Sequence, residues 1–172
     1  MDRQPTLTGA RVVLRPTTEA DRAPLFAIAS DRLIWEVHPA HDRWQKPVFD
    51  AFFDAGQESG GALTIQDKHS GAIIGASRYG IPDIERDEVE IGWTYIARAY
   101  WGGVYNREIK RLMLDYLHRF AGAATFMVGE NNIRSRKAME KIGGVLREGR
   151  HLRTMAGEEV AHVVYEIRRD PA

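Results

Sequence analysis

Apolar and polar positions along this chain change period repeatedly, from alternation every second residue to recurrence every three or four. Arg11 to Arg15 reads as a first strand, with β-branched Val12 and Val13 beside apolar Leu14. Thr18-Glu19-Ala20-Asp21 offers a helix start, and Leu25, Phe26, Ile28 and Ala29 share the face that follows. Residues 33–45 carry Trp35, His38, Pro39, His41 and Trp44 and read as loop or short helix. A second helix is predicted over Pro47 to Gln57, with proline in its first turn. After Gly60-Gly61, Ala62 to Asp67 and Ala72 to Tyr79 read as a hairpin about His69-Ser70-Gly71. Val89, Ile91, Trp93 and Tyr95 then alternate with Glu90, Gly92, Thr94 and Ile96, predicting a strand with Glu90, Gly92 and Thr94 on one face. The strongest helical signal follows, as Ile109, Leu112, Met113, Tyr116, Leu117 and Phe120 recur at one face and Gly122 closes the run. Thr125 to Val128 is a short apolar strand, and Asn131-Asn132 caps a short helix with Ser135, Ala138, Met139 and Ile142 inside. Gly143-Gly144 ends that helix, and two last strands, Val145 to Arg153 and Val160 to Arg168, flank a turn at Ala156-Gly157. The whole predicts an α/β arrangement over residues 1–172 as one domain, with a hairpin on each side of a strand–helix–strand unit.

Composition narrows the partners. With 44% hydrophobic residues in 172, the chain can bury a substantial core. Lys+Arg and Asp+Glu are both 24, so no charge excess argues for nucleic acid or an anionic membrane. The Met1-Asp2-Arg3-Gln4-Pro5 start is polar, no apolar run reaches membrane-spanning length, and a cytoplasmic location is expected. Cysteine is absent, which excludes a thiol nucleophile, a disulfide framework and cysteine-ligated zinc. His38-Pro39-Ala40-His41-Asp42 has proline inside the ligand spacing, and no metal is expected. Asp83, Glu85, Asp87 and Glu88 crowd one connection, which reads either as a lure for a cationic partner or as a solvated loop.

The candidate chemistry lies around Glu90-Ile91-Gly92 and the Tyr100-Trp101-Gly102-Gly103 turn that precedes the strongest helix. A strand that ends in a glycine turn and opens a helix gathers unpaired N–H groups at one point, which attracts phosphate. Arg107, Lys110 and Arg111 in the early turns oppose the macrodipole, and they become favourable when a polyanion sits on that end. The alternative is a solvated helix face.

These residues, together with Asn132-x-x-Ser135 and Met139-Glu140-Lys141-Ile142-Gly143, resemble the GNAT N-acetyltransferase superfamily over nearly the whole chain. The ribosomal-protein N-acetyltransferase branch is the more similar one. The resemblance implies a mixed, mostly antiparallel sheet with a central splayed parallel strand pair and about four flanking helices. It also implies acetyl-CoA as co-substrate, a small-molecule or peptide amine as acceptor, and possible homodimers. On that likeness the coenzyme would lie along Trp93, Thr94, Tyr95 and Ile96, with its diphosphate on Trp101, Gly102, Gly103, Val104, Tyr105, Asn106 and Arg107, and with Asn132 and Ser135 near its sulfur. The sequence departs from the family pattern at Ala99, Val104 and Met139; the last stands where many relatives carry a tyrosine general acid.

Without cysteine, direct attack of the amine on the thioester is the economical mechanism. Glu90 is the candidate base and could also be a solvated carboxylate on an open strand face. Ser135 is a candidate proton donor to the departing thiolate or a small residue that lets its helix approach the sheet. Asn132 can cap the helix with its oxygen and still present its amide NH₂. On the same likeness Trp35, His38 and Glu90 would line the acceptor pocket; surface packing of the aromatics is the alternative. A non-catalytic acyl-CoA-binding module on the same scaffold is the alternative reading.

Overall fold

The sheet takes the order β1-β2-β3-β4-β5-β6-β9-β7, with β8 pairing β9, in a computed structural model that describes residues 1–169. Its strands are β1 (Leu7–Thr8), β2 (Val12–Pro16), β3 (Ala62–Asp67), β4 (Ile73–Tyr79), β5 (Glu88–Ile96), β6 (Ala123–Gly129), β7 (Val145–Leu146), β8 (His151–Met155) and β9 (Glu158–Arg168). Helices α1 (Arg22–Ala29), α2 (Lys46–Glu58), α3 (Val104–Leu117) and α4 (Ile133–Lys141) accompany short 3₁₀ turns at Glu19–Asp21, Arg32–Ile34 and Arg98–Tyr100. Pairing is antiparallel throughout except for β5 with β6. No helix among the described residues is long and apolar enough to cross a membrane.

Two apolar clusters pin the layers. The larger gathers Val12, Leu14, Ile65, Val89 and Ile91 of the sheet with Ile109, Met113 and Leu117 of α3 and Met139 of α4. The smaller gathers Leu25, Ala29, Phe49, Phe53 and Trp35 with Tyr95, so α1 and α2 cover the other face. Glu108 is a buried polar tie between α3 and β2, its Oε1 accepting the N–H groups of Arg11 at 2.7 Å and Val12 at 3.3 Å.

Two features depart from the predicted pattern. The strand expected over Val145 to Arg153 is interrupted at Gly149, whose φ of 101° turns the chain; β7 and β8 then pair different lengths of β9. The alternation predicted for β5 holds only to Ile91. Between the pairs Arg78↔Gly92 and Ala76↔Tyr95, β5 spends three steps on two of β4, a bulge centred on Trp93 at φ 54°. Thr94 is thereby turned onto the α3 face, away from Glu90, and Tyr95 joins the cluster under α1 and α2. The expected common face of Glu90 and Thr94 is therefore corrected.

This bulge positions the site. β5 pairs β6 only through Glu88↔Ala123, Val89↔Ala124 and Glu90↔Thr125. Beyond those pairs β6 stays with β9 as far as Gly129↔His162, while β5 bends away with β4. The two central strands part into a wedge whose near edge, the β5 side, has no strand partner among the described residues.

Candidate active site

A cleft of about 70 Å³ opens where the strands part, lined by Glu90 and Trp93 from β5, Met127 to Gly129 from β6, and Asn132 and Ser135 at the start of α4. His38, Pro39 and Arg43 close it from the segment before α2, and Arg153, Met155 and His162 from the last hairpin. Glu90, Asn132, Ser135 and His38 are thus brought together from distant parts of the sequence. Burial holds the Glu90 carboxyl above the usual carboxylate range, opposed by Arg153, whose Nη2 stands 3.7 Å from it, and by Arg78.

Asn132 accepts the Ser135 N–H at 3.1 Å and so caps α4, which leaves its amide NH₂ for other work. The Ser135 hydroxyl makes no hydrogen bond among the described residues. Met139 is packed in the core at 4% exposure, and Tyr165 is committed, donating to Glu140 and accepting from Arg136. Among the residues lining the cleft, none is a tyrosine.

The glycine turn stands at the other end of β5. Gly102 and Gly103 have φ of 112° and 100°, a region unfavourable to residues with a Cβ, and a Cβ on either would meet nothing within 4 Å. Gly103 is the N-cap of α3 and no side chain among the described residues caps the helix, so the N–H groups of its first turn, from Val104 to Asn106, point out unpaired among them. Trp101 donates from its indole to the Ile96 carbonyl at 2.9 Å, and Arg134 lies 4.3 Å over its ring. Tyr105 donates to Asp67 at 3.0 Å, which ties the first turn of α3 to β3. Arg107 and Arg111 are exposed.

Lys110 is not on the solvated face. It is 3% exposed, its Nζ donates to Thr94 Oγ1 at 2.7 Å, and it lies 5.5 Å from the Phe126 ring, between the parted strands. Burial pushes its ammonium down to about 7. Thr94 lies 2.8 Å from Ser77 Oγ, so Lys110 anchors a small polar knot beneath the bulge. Trp35 is likewise corrected as a pocket wall, being 1% exposed and donating its indole N–H to the Ala29 carbonyl. Its contribution is to support His38 and Arg43, which do face the cleft.

Sequence reasoning missed His162 and Arg43. His162 Nδ1 lies 2.9 Å from the Val160 carbonyl, which only accepts, so that nitrogen carries the proton and Nε2 keeps its lone pair. Burial lowers its pKa. His38 has the opposite arrangement, since its Nδ1 accepts the Ala40 N–H at 2.9 Å. Burial, followed by the charges of Arg43 and Arg134, holds His38 down to about 3, so it stays neutral. Neither residue sits in a motif; only the meeting of the last hairpin with the pre-α2 segment reveals them.

The family model for the acetyltransferase (GNAT) domain matches residues 11–145. Among solved structures, a GCN5-related N-acetyltransferase from Brucella melitensis superposes with a TM-score of 0.81 at 19% identity, over 96% of this chain and 79% of that one. Mycobacterium smegmatis RimJ in complex with CoA-disulfide gives 0.75 at 18% identity, over 95% and 87%. Spermidine N-acetyltransferase from Vibrio cholerae, in complex with CoA and spermine, gives 0.71 at 15% identity, over 93% and 96%.

Proposed function

The chain belongs to the acetyltransferase (GNAT) family, and from that premise we propose that Glu90 takes the proton from an amine seated in the cleft. The family's reaction makes this chain an N-acetyltransferase that uses acetyl-CoA. The observation that carries the finer reading is the meeting of a half-buried carboxylate with the Asn132–Ser135 corner at the point where β5 leaves β6.

The residues present fit the coenzyme. The free edge of β5 offers main-chain groups to an extended amide-bearing arm, in the way an added strand pairs. The uncapped first turn of α3 offers N–H donors to a diphosphate, and the side-chain-free Gly102-Gly103 turn leaves room for close approach. We assign this contact to Trp101, Gly102, Gly103, Val104, Tyr105, Asn106 and Arg107, and the arm to Trp93, Thr94, Tyr95 and Ile96, with Thr94 contributing backbone only because its side chain faces Lys110.

Bound acetyl-CoA supplies a thioester carbonyl open to direct attack. An alkylamine, with a pKa about 10.4 for a lysine-like group, is mostly protonated at neutral pH and must lose that proton first. Glu90 is suited to this, because its burial raises its basicity toward the working range. The Ser135 hydroxyl has no competing partner among the described residues, so it is free to donate toward the departing sulfur, a role Met139 cannot fill.

The test is free-thiol release from acetyl-CoA across a panel of primary amines, with Glu90→Gln alongside. Turnover that falls sharply in the variant while acetyl-CoA affinity holds supports the assignment. Coenzyme binding without turnover for every amine would instead favour an acyl-CoA-binding module.

A further inference from the structure

The cleft that receives the amine is more positive than its task requires. Arg43 projects into it from the turn before α2, its guanidinium carbon 4.0 Å from the Phe52 ring centroid and 5.1 Å from that of Trp35. Among the described residues it has no ion pair and no side-chain hydrogen bond, and burial lowers its pKa to about 10. Two aromatic faces compensate part of the desolvation of this half-buried guanidinium, and none of its N–H donors has a protein acceptor among the described residues. Arg153 lines the same cleft, and among the described residues the only acid there is Glu90.

A half-buried cation with no protein anion beside it keeps its donors open to an anion that enters the cleft. The planar fork of arginine suits a carboxylate or phosphate bidentately. Resting on the N-acetyltransferase reading, we propose that the acceptor is a small primary amine that also carries an anionic group, with Arg43 binding the anion and Glu90 facing the ammonium. A free amino acid is the simplest such molecule. A polyamine is the opposite case, since it would bring two or more positive charges beside Arg43 and Arg153 with one carboxylate to meet them.

The test compares matched acceptors: amino acids against their C-terminal amides, phosphoethanolamine against ethanolamine, and spermidine. Both thiol release and acceptor binding to the CoA-loaded protein by calorimetry are read, for the wild type and for Arg43→Met and Arg43→Lys. The expected result is a preference of about tenfold or more in kcat/KM or affinity for the anionic member of a pair. Preference for the amino acids assigns a carboxylate site, and preference for phosphoethanolamine a phosphate site. Arg43→Met should bring each pair to near equality through KM, Arg43→Lys should restore part of the gap, and both variants should bind acetyl-CoA as the wild type does. Equal use of acids and amides, preference for spermidine, or an unchanged gap in Arg43→Met would overturn the inference while leaving acetyl transfer standing. Failure of the wild type to bind acetyl-CoA would bring down both readings together.

Discussion

Glu90 carries two opposing influences that set its behaviour at the residue scale. Burial favours its neutral form, while Arg153 and Arg78 favour its charge, and burial wins. The acid limb of the kcat/KM profile should therefore lie above the range of an ordinary carboxylate, about pH 4.3. Glu90→Gln should lower kcat by about 10²-fold or more and erase that limb. A pH–rate profile of both proteins decides it: a variant that keeps the limb assigns the titration to another group. The cleft histidines make a separate forecast for stability. His38 and His162 both have folded-state pKa values depressed by burial, so as pH falls below about 6.5 the unfolded chain takes up protons that the folded chain refuses. Stability is thus lost on acidification, and for His38 the loss continues down to its folded value near 3. Urea unfolding at pH 7 and pH 5 should show a drop of up to about 1.4 kcal/mol per unit for each histidine, and His38→Gln should remove the share of His38 and leave that of His162.

At the scale of elements, Lys110 shows why a periodic reading reached the helix but misjudged one of its cations. The stripe of Ile109, Met113 and Leu117 was legible from spacing, and all three are fully buried. Lys110 borders that stripe; the bulge in β5 turns Thr94 toward it and draws the ammonium inward. A bulge at a tryptophan with positive φ leaves no mark in the alternation of Val89, Ile91, Trp93 and Tyr95, so the reversal after Ile91 could not be read. Gly149, by contrast, was visible in the sequence, but its turn competes with a run that alternates well enough to pass as one strand. The burial of Lys110 has a measurable sign. Its folded pKa, about 7, lies below the unfolded value near 10.4, so between those limits the unfolded state binds the extra proton and stability rises with pH. Lys110→Met should remove that rise, a slope of at most about 1.4 kcal/mol per pH unit, and should be the more stable protein at pH 7. Denaturant midpoints at pH 7, 8 and 9 test it; parallel curves for the two proteins would place the charge in water.

For the molecule as a whole, the sheet is two antiparallel halves held side by side by a short parallel seam. The seam comprises the Glu88, Val89 and Glu90 pairs with β6, and the wedge begins directly beyond it. The order of elements around this seam was legible, because the glycine turn, the capped α4 and the two hairpins each leave local signatures. The cleft residues were only partly so, since Arg43 and His162 come from segments that meet nowhere in the sequence. A ligand lying along β5 and ending on the first turn of α3 would bridge both halves and stabilise them together. At a hundred times its Kd, acetyl-CoA should then add about 2.7 kcal/mol to the unfolding free energy. Hydrogen exchange locates that gain: amides at 91–96 and 102–106 should slow on binding, while those of β2 and β3, already paired on both sides, should change little. Gly103→Ala offers the matching perturbation. Its φ of 100° disfavours any Cβ although no atom obstructs one, so a strain of about 1 kcal/mol or more falls on the turn alone. The variant should bind acetyl-CoA several-fold more weakly and lose protection at 102–106 first. Protection confined to α1 and α2, with the β5 edge unchanged, would place the coenzyme outside the wedge.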